Sequence, residues 1–482
     1  VEDRELRTYN TAGVKENGTF YDNEVDDYGQ THLHAIYHHQ WSDLHLQTTL
    51  HYTKGAGFYE QYRSSDDLSD YGLNLSPETD DLVRRRWLDN DFYGMIFNLS
   101  RSKPQYSWSI GGGANQYLGD HFGEVIWVAS EGEIPPQDYY RNDAIKNDVN
   151  LYGQYQYSFP GRWTVFTDLQ WRTVEYKFQG FSSDLSVADQ KVNHHFFNPK
   201  LGIEKKLGAF TTYYSLGVAH REPNRDDYVQ STPSSRPTPE RLIDHELGIR
   251  LEQQNLAMSL NLFMMDYKDQ LVLTGSINDV GEYNRVNVQE SYRRGLEYSL
   301  NWRLVPRLSM GGTFTYNRSR IKYLVESIDN WDTGEQIVRA HRNVPISFSP
   351  EIVNSLYADW TLMKMKRSDL KLRTDYRFVG KQYLDNTGDD QAALEAYRQT
   401  DLTILMNWYP QGFNQITLKG QIVNLFDRSI ISNGWVYRYV SSGYDARPDD
   451  PHATHIDGDT YTLSGFYPQA GIHFLFGVTM QF

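Results

Sequence analysis

The sequence predicts an all-β fold, a transmembrane antiparallel β-barrel with long extracellular loops and short periplasmic turns. Three observations carry this expectation. First, Ile472, Phe474, Phe476, Val478, Met480 and Phe482 fill every second position up to the C-terminus. Such alternation marks a strand with one apolar face, and about 9–11 tilted residues cross a bilayer within a barrel. Second, tight connections alternate with long polar ones along the whole chain. Third, aromatic residues make up 14% of the 482 residues, with 36 Tyr, 22 Phe and 11 Trp. Such rings suit the two water–lipid boundaries of a membrane barrel.

Composition narrows the class further. Hydrophobic content is 39% and mean hydropathy is −0.65, so no stretch approaches the roughly 18 apolar residues of a membrane helix. Strands that alternate keep a soluble-looking average. There is no cysteine, so disulfides and thiolate metal sites are excluded, and the net charge of −15 opposes a nucleic-acid partner.

Taken in order, tight turns fall at Trp41–Ser42–Asp43, Lys103–Pro104, Phe159–Pro160–Gly161, Leu207–Gly208, Gln254–Asn255, Val305–Pro306, Lys366–Arg367 and Pro410–Gln411–Gly412. Pro, Gly and Asn supply the fixed or positive φ that such turns need. Their spacing of about 46 to 62 residues leaves room for two strands and one loop each. The loops between them are read at 64–86, 130–141, 182–193, 231–239, 275–282, 325–336, 386–392 and 441–459. Counting from Gln30 gives about seventeen strands, the first descending from the long-loop side. Bacterial barrels close with an even number, so this set alone would leave an open seam.

Several strings go beyond architecture. They include FNPKLG at 197–202, HREPNRDDY at 220–228, ELGIR at 246–250, RGLE at 294–297 opening a strand, VNLFDR at 423–428 on the penultimate strand, and the aromatic ending. Together and in this order they resemble the barrel of TonB-dependent outer-membrane receptors, transporters of about 22 strands around a plug. The resemblance implies that about 17 of 22 strands are present and the plug absent. Residues 1–28 would be the remnant of an extracellular loop and 29–482 a partial receptor barrel. It also implies energised uptake of a scarce, large nutrient such as an iron–siderophore or cobalamin. A passive outer-membrane pore and a non-transporting surface binding protein are the alternatives.

The implied setting is the outer membrane of a Gram-negative cell. Its partners are lipid and LPS, the barrel assembly machinery, the metal chelate or cobalamin ligand, and TonB–ExbB–ExbD acting through the plug. Phe482 would be the assembly signal. No catalytic triad, phosphate loop or zinc-protease helix occurs, so neither an enzyme nor a cofactor is expected.

Candidate ligand residues each have a structural counterpart. Arg84–Arg85–Arg86 lies between Asp80–Asp81 and Asp89, Asp91, and pairing with those acids competes with an anion-binding role for Arg85. His121 and Trp435 stand at external strand ends, where ligands of this family dock. Arg221 belongs to HREPNRDDY, which reads first as a salt-bridged rim. A resembling segment in haem receptors follows its first box with a histidine and an Asn–Pro box. Residues 224–244 lack the histidine here and no such box follows, which disfavours haem. In the last loop, His452, His455 and Asp457 are candidate metal ligands, and His452 a candidate ligand contact; a solvated acidic loop is the competing reading. Asn424 and Asp427 are expected to satisfy polar groups where a strand ends. Glu297 is expected to face inward and pair with arginine.

Overall fold

The computed structural model describes residues 13–15, 17–181, 189–229, 236–277, 283–445, 447–448 and 453–482. In chain order the elements are β1 (Val25–Trp41), β2 (Leu44–Asp67), β3 (Thr79–Ser102), β4 (Tyr106–Val128), β5 (Gly132–Phe159), β6 (Trp163–Phe181), β7 (Gln190–Leu207) and β8 (Phe210–Arg221). The short helix α1 (Arg225–Val229) precedes β9 (Glu240–Glu252), β10 (Leu256–Ile277), β11 (Tyr283–Val305), β12 (Leu308–Asn330), β13 (Gln336–Pro345), β14 (Ile352–Lys364) and β15 (Ser368–Val379). Then come β16 (Gln382–Tyr383), β17 (Ala393–Leu394), β18 (Tyr397–Trp408), β19 (Gln415–Val423), β20 (Ile431–Val440), β21 (Thr454–Asp457), β22 (Thr460–Pro468) and β23 (His473–Gln481).

Strands β1 to β12, then β14, β15, β18, β19 and β23, pair antiparallel one after the next, a continuous wall of seventeen strands. Among the described residues β1 pairs only with β2, and β23 only with β19. The register fixes the two faces. Ile404, Met406 and Trp408 lie opposite Gly420, Leu418 and Ile416 of β19, which in turn meet Phe476, Val478 and Met480 of β23. This file is open to the surroundings, with Phe476 86% exposed. Exposed Trp41, Trp163, Trp302, Trp360 and Trp408 line the outer face within a few residues of the short turns.

The other face is polar. Gln154 bridges Ser109 and Asp168 at 3.0 and 2.9 Å, and His51 meets Asn115 at 2.8 Å. Apolar outside and polar inside is the pattern that lets a barrel wall stand in lipid while lining a wet lumen. On β2 the outward file Leu44, Leu46, Thr48, Leu50 and Tyr52 gives way to Lys54, whose ammonium lies 3.1 Å from Asp91 and also pairs with Asp89. About nine residues therefore make the apolar band, the length a tilted strand needs to cross a bilayer.

All eight tight turns lie where the sequence places them. The strands, however, run well beyond the expected loop edges. Val25–Tyr28, read as loop, pair with residues 57–60 of β2. β5 begins at Gly132 inside the loop read at 130–141, and Arg84–Arg85–Arg86 stand on β3. Above the apolar band neither face has to be apolar, so alternation fades while backbone pairing continues. RGLE lies in the interior of β11 rather than at its start. Glycine is required there because a Cβ on Gly295 would fall 2.0 Å from the carbonyl oxygen of Tyr316. Glu297 sits opposite Asn261 and Thr315 rather than an arginine.

Val423 of VNLFDR ends β19, and the residues after it cap the strand. Asn424 adopts φ +54°. Its side-chain oxygen accepts from Arg428 N at 3.0 Å and its amide donates to Arg428 O at 2.9 Å. Asp427 accepts from Ile472 N at 2.9 Å. The pair closes the turn at the base of β23, in the role expected for it.

Candidate functional site

The long connections fold inward. Leu68, Tyr71 and Leu73, between β2 and β3, bury against Leu82, Val125 and Tyr139. Tyr228 of α1, 1% exposed, packs on Ala144, Tyr176, Phe178 and Val192. Leu384 and Leu394 cover Val436 and Phe466. These apolar patches on the inner face of the upper wall hold the loops across the mouth.

One residue ties three of these segments together. Arg438 on β20, with its side chain 8% exposed, places Nη1 3.0 Å from Glu326 of β12 and beside Asp385. Its Nη2 reaches Thr387 Oγ1 at 3.2 Å and Asp389 at 3.3 Å. His341 Nε2 lies 2.7 Å from the other oxygen of Glu326. Burial pushes the Asp385 carboxyl above its ordinary range against the pull of Arg438. A cavity of about 300 Å³ opens beside this hub, lined by Glu326, Asp329, Gln336, Asp385, Tyr437 and Arg438. An aromatic stack stands at its rim, with Trp331 and Tyr439 rings 3.7 Å apart and Tyr437 and Tyr461 alongside.

A second anchor holds the segment after β8. Glu222 accepts from Arg172 at 2.8 Å, and Lys146 approaches it at 3.1 Å. Arg172 also pairs with Asp148 at 2.6 Å. Asn224 and Asp227 cap α1 reciprocally at 2.8 and 2.9 Å. Burial raises the Glu222 carboxyl, but the Arg172 hydrogen bonds and the nearby cations outweigh it and bring the group from 4.5 to about 2. A lowered folded value means the anchor is at full strength above about pH 4.5 and fades as pH falls toward 2. Protection factors over α1, that is, exchange corrected for its intrinsic pH dependence, should therefore fall between pH 5 and 3 by roughly an order of magnitude or more. Glu222→Gln should remove that pH dependence; an unchanged profile in the variant would show that the anchor is elsewhere.

The candidate residues are scattered. Arg85 donates to Glu60 at 2.7 Å and lies 4.3 Å over the Phe58 ring, while Arg84 binds Gln61. Neither pairs with the neighbouring acids: Asp81 accepts from Ser64 and Ser65, and Asp91 from Lys54. Cross-strand neighbours on β2 outcompete sequence neighbours, whose side chains alternate between faces. His121, on β4, meets Tyr117 at 3.2 Å. Arg221, 57% exposed, approaches Glu240 at 3.6 Å in the expected rim. Trp435 lies on β20 against Gly465, where a Cβ would fall 2.1 Å from its indole nitrogen.

His452 and the side chain of Asp457 lie outside the described residues, and His455 contacts the Gly458 carbonyl. Among the described residues no three His, Asp or Glu side chains are gathered around a common point. Sequence reading missed Arg438, Asp385, Glu326 and Arg172 because their ionic partners are 15 to 112 positions away.

An antiparallel wall, apolar outside and polar inside with inward-folded loops at one end, defines the class of large β-barrels that surround a lumen. Residues 3–425 match the family described as TonB dependent receptor-like, beta-barrel, and the chain belongs to that family. It is a family of outer-membrane transport receptors, not enzymes. No curated protein sequence matches the chain. Among solved structures it resembles the ferric-catecholate import receptor Fiu from K12 E. coli, in its closed form. The TM-score is 0.66 at 14% identity, over 97% of this chain and 66% of that one. It is also similar to the copper transporter OprC (0.66, 12%, covering 95% and 65%). A further likeness is to the siderophore receptor PiuA from Acinetobacter baumannii (0.64, 16%, 94% and 66%). The chain thus spans less than two thirds of the length of these structures.

Proposed function

We propose that this chain forms the wall of a Gram-negative outer-membrane receptor that imports a scarce, bulky metal chelate, foremost an iron–siderophore. Cobalamin is a less supported cargo of the same kind. Energy would come from TonB, ExbB and ExbD acting on a plug domain. The observation that carries the proposal is the two-faced wall whose loops fold inward around a cavity lined by Arg438, its carboxylates and Tyr437, with exposed Trp331 stacked over buried Tyr439 beside it. Similarity to structures described as ferric-catecholate and siderophore receptors supports the choice of cargo.

The test is uptake by cells expressing the complete gene product, with labelled ferric siderophores and cobalamin in competition. Saturable accumulation that disappears without TonB is the expected result. Accumulation independent of TonB, together with large steady conductance in planar bilayers, would establish the passive pore instead.

Phe482 tests the assembly partner. Its ring lies 5.1 Å from Phe413 and is 83% exposed, so it adds little to folded stability. Phe482→Ala should lower the yield of heat-modifiable, membrane-inserted protein several-fold while leaving the melting of the inserted fraction unchanged. Unaltered yield would remove the assembly role.

A further inference from the structure

Where the outward apolar files of β10, β11 and β12 end on the mouth side, the wall turns basic. Met264, the last of its file, lies opposite Arg294 of β11, and Arg294 lies opposite Arg318 of β12. Arg320 and Lys322 follow outward on β12, and Lys268 on β10. Asp266, Glu290 and Glu351 answer these cations only in part. Arg320 reaches Glu351 at 2.7 Å and Lys322 reaches Glu290 at 2.6 Å. Arg294 stands 3.4 Å from Asp266 and rests on the Tyr292 ring at 4.7 Å. Arg318 is exposed and has no ion-pair partner among the described residues. Like charges directly opposite each other weaken a strand pair, yet a chain of net charge −15 places two guanidiniums so.

Below this pair the same face is grooved. The outward file of β12 runs Leu308, Met310, Gly312, Phe314 and Tyr316. At its centre Gly312 has no side chain, and a groove of about 360 Å³ opens there between Leu300, Met310, Phe314, Leu356, Ala358 and Tyr376. From Gly312 to Arg318 is about 20 Å along the strand. At a tilt of about 40° that is a depth of about 15 Å, half of a hydrocarbon core and the share of one leaflet.

We propose that this face docks one lipid of the mouth-side leaflet that carries a phosphomonoester headgroup. Its phosphate lies between Arg294 and Arg318, and one acyl chain lies in the groove at Gly312. The assignment rests on the two-faced wall and not on the chelate-uptake reading. A guanidinium fork matches phosphate oxygens in pairs. A phosphomonoester brings a charge of about −1.5 to −2, enough for both arginines; a phosphodiester brings a single charge and satisfies one of them. Tyr292 and Tyr316 flank the pair, as aromatic rings do at headgroup level. The cations alone would attract any anion and the groove alone any chain; together they select an acylated phosphate.

The experiment is native mass spectrometry of the complete gene product, folded in detergent. The probes are phosphatidic acid, phosphatidylglycerol with the same chains, and inorganic phosphate. One phosphatidic acid should bind about tenfold or more tighter than phosphatidylglycerol and resist displacement by inorganic phosphate. Arg294→Gln combined with Arg318→Gln should weaken it about tenfold or more and abolish the preference between the two lipids. Ala358→Phe, which fills the groove, should weaken both lipids about threefold or more and keep the preference. Arg307→Gln, at the short turn between β11 and β12, should change nothing. Equal affinity for the two lipids, full retention in the double arginine variant or in Ala358→Phe, an equal loss in Arg307→Gln, or displacement by inorganic phosphate would overturn the proposal. Heat-modifiability of each variant separates loss of lipid from loss of fold.

Discussion

Replacing Arg438 with alanine should release the extracellular mouth. The guanidinium is the cation shared by Glu326, Asp385 and Asp389, and it is buried with Asp385 while the other two carboxylates are partly exposed. Removing one partner of a buried ionic cluster leaves uncompensated charge, at a cost of about 3–5 kcal/mol. That is enough to lower hydrogen-exchange protection by roughly two to four orders of magnitude over 326–330, 384–394 and 431–440. Lysine should not restore it, because a single ammonium cannot present a fork to three carboxylates and Thr387. Replacing Asp385 with leucine in the same protein should recover part of the loss by removing the most deeply buried charge, 2% exposed. Protection unchanged in Arg438→Ala would mean that the apolar contacts of Leu384 and Leu394 alone hold the loops.

The hub also shows what the sequence could and could not disclose. Turns at Phe159–Pro160–Gly161 and Leu207–Gly208 are legible because local chemistry dictates positive φ: Gly161 and Gly208 take φ of 82° and 64°. The terminal strand is legible because its outward file is apolar without interruption. Asn424 and Asp427 are legible because a cap is a local event, completed by Arg428 and Ile472. Above the apolar band these rules lapse. β5 continues through Gly132–Arg141 with polar residues on both faces, so only the pairing with β4 reveals it as strand. The partners of Arg85 and Arg438 are set by register and by loop folding, which no short window of sequence contains.

The assignment of faces yields the other large effect, because one step along a strand exchanges lipid for water. On β10 the outward file is Leu256, Met258, Leu260, Leu262 and Met264, and Leu260 stands at its centre, opposite Ile249 and Tyr298. Asn261 points the other way and accepts a hydrogen bond from Tyr213 at 3.0 Å, with Glu297 opposite. Leu260→Arg should therefore destabilise the membrane-inserted state by about 2–4 kcal/mol, the cost of an arginine at the bilayer midplane. Asn261→Arg meets water and a carboxylate and should stay within about 1 kcal/mol of wild type. Denaturant titration of protein folded into lipid vesicles reads both. Equal effects would mean that the two faces see the same medium, and the membrane-barrel reading would fail with them. A larger cost at Asn261 would mean that the wall is turned inside out.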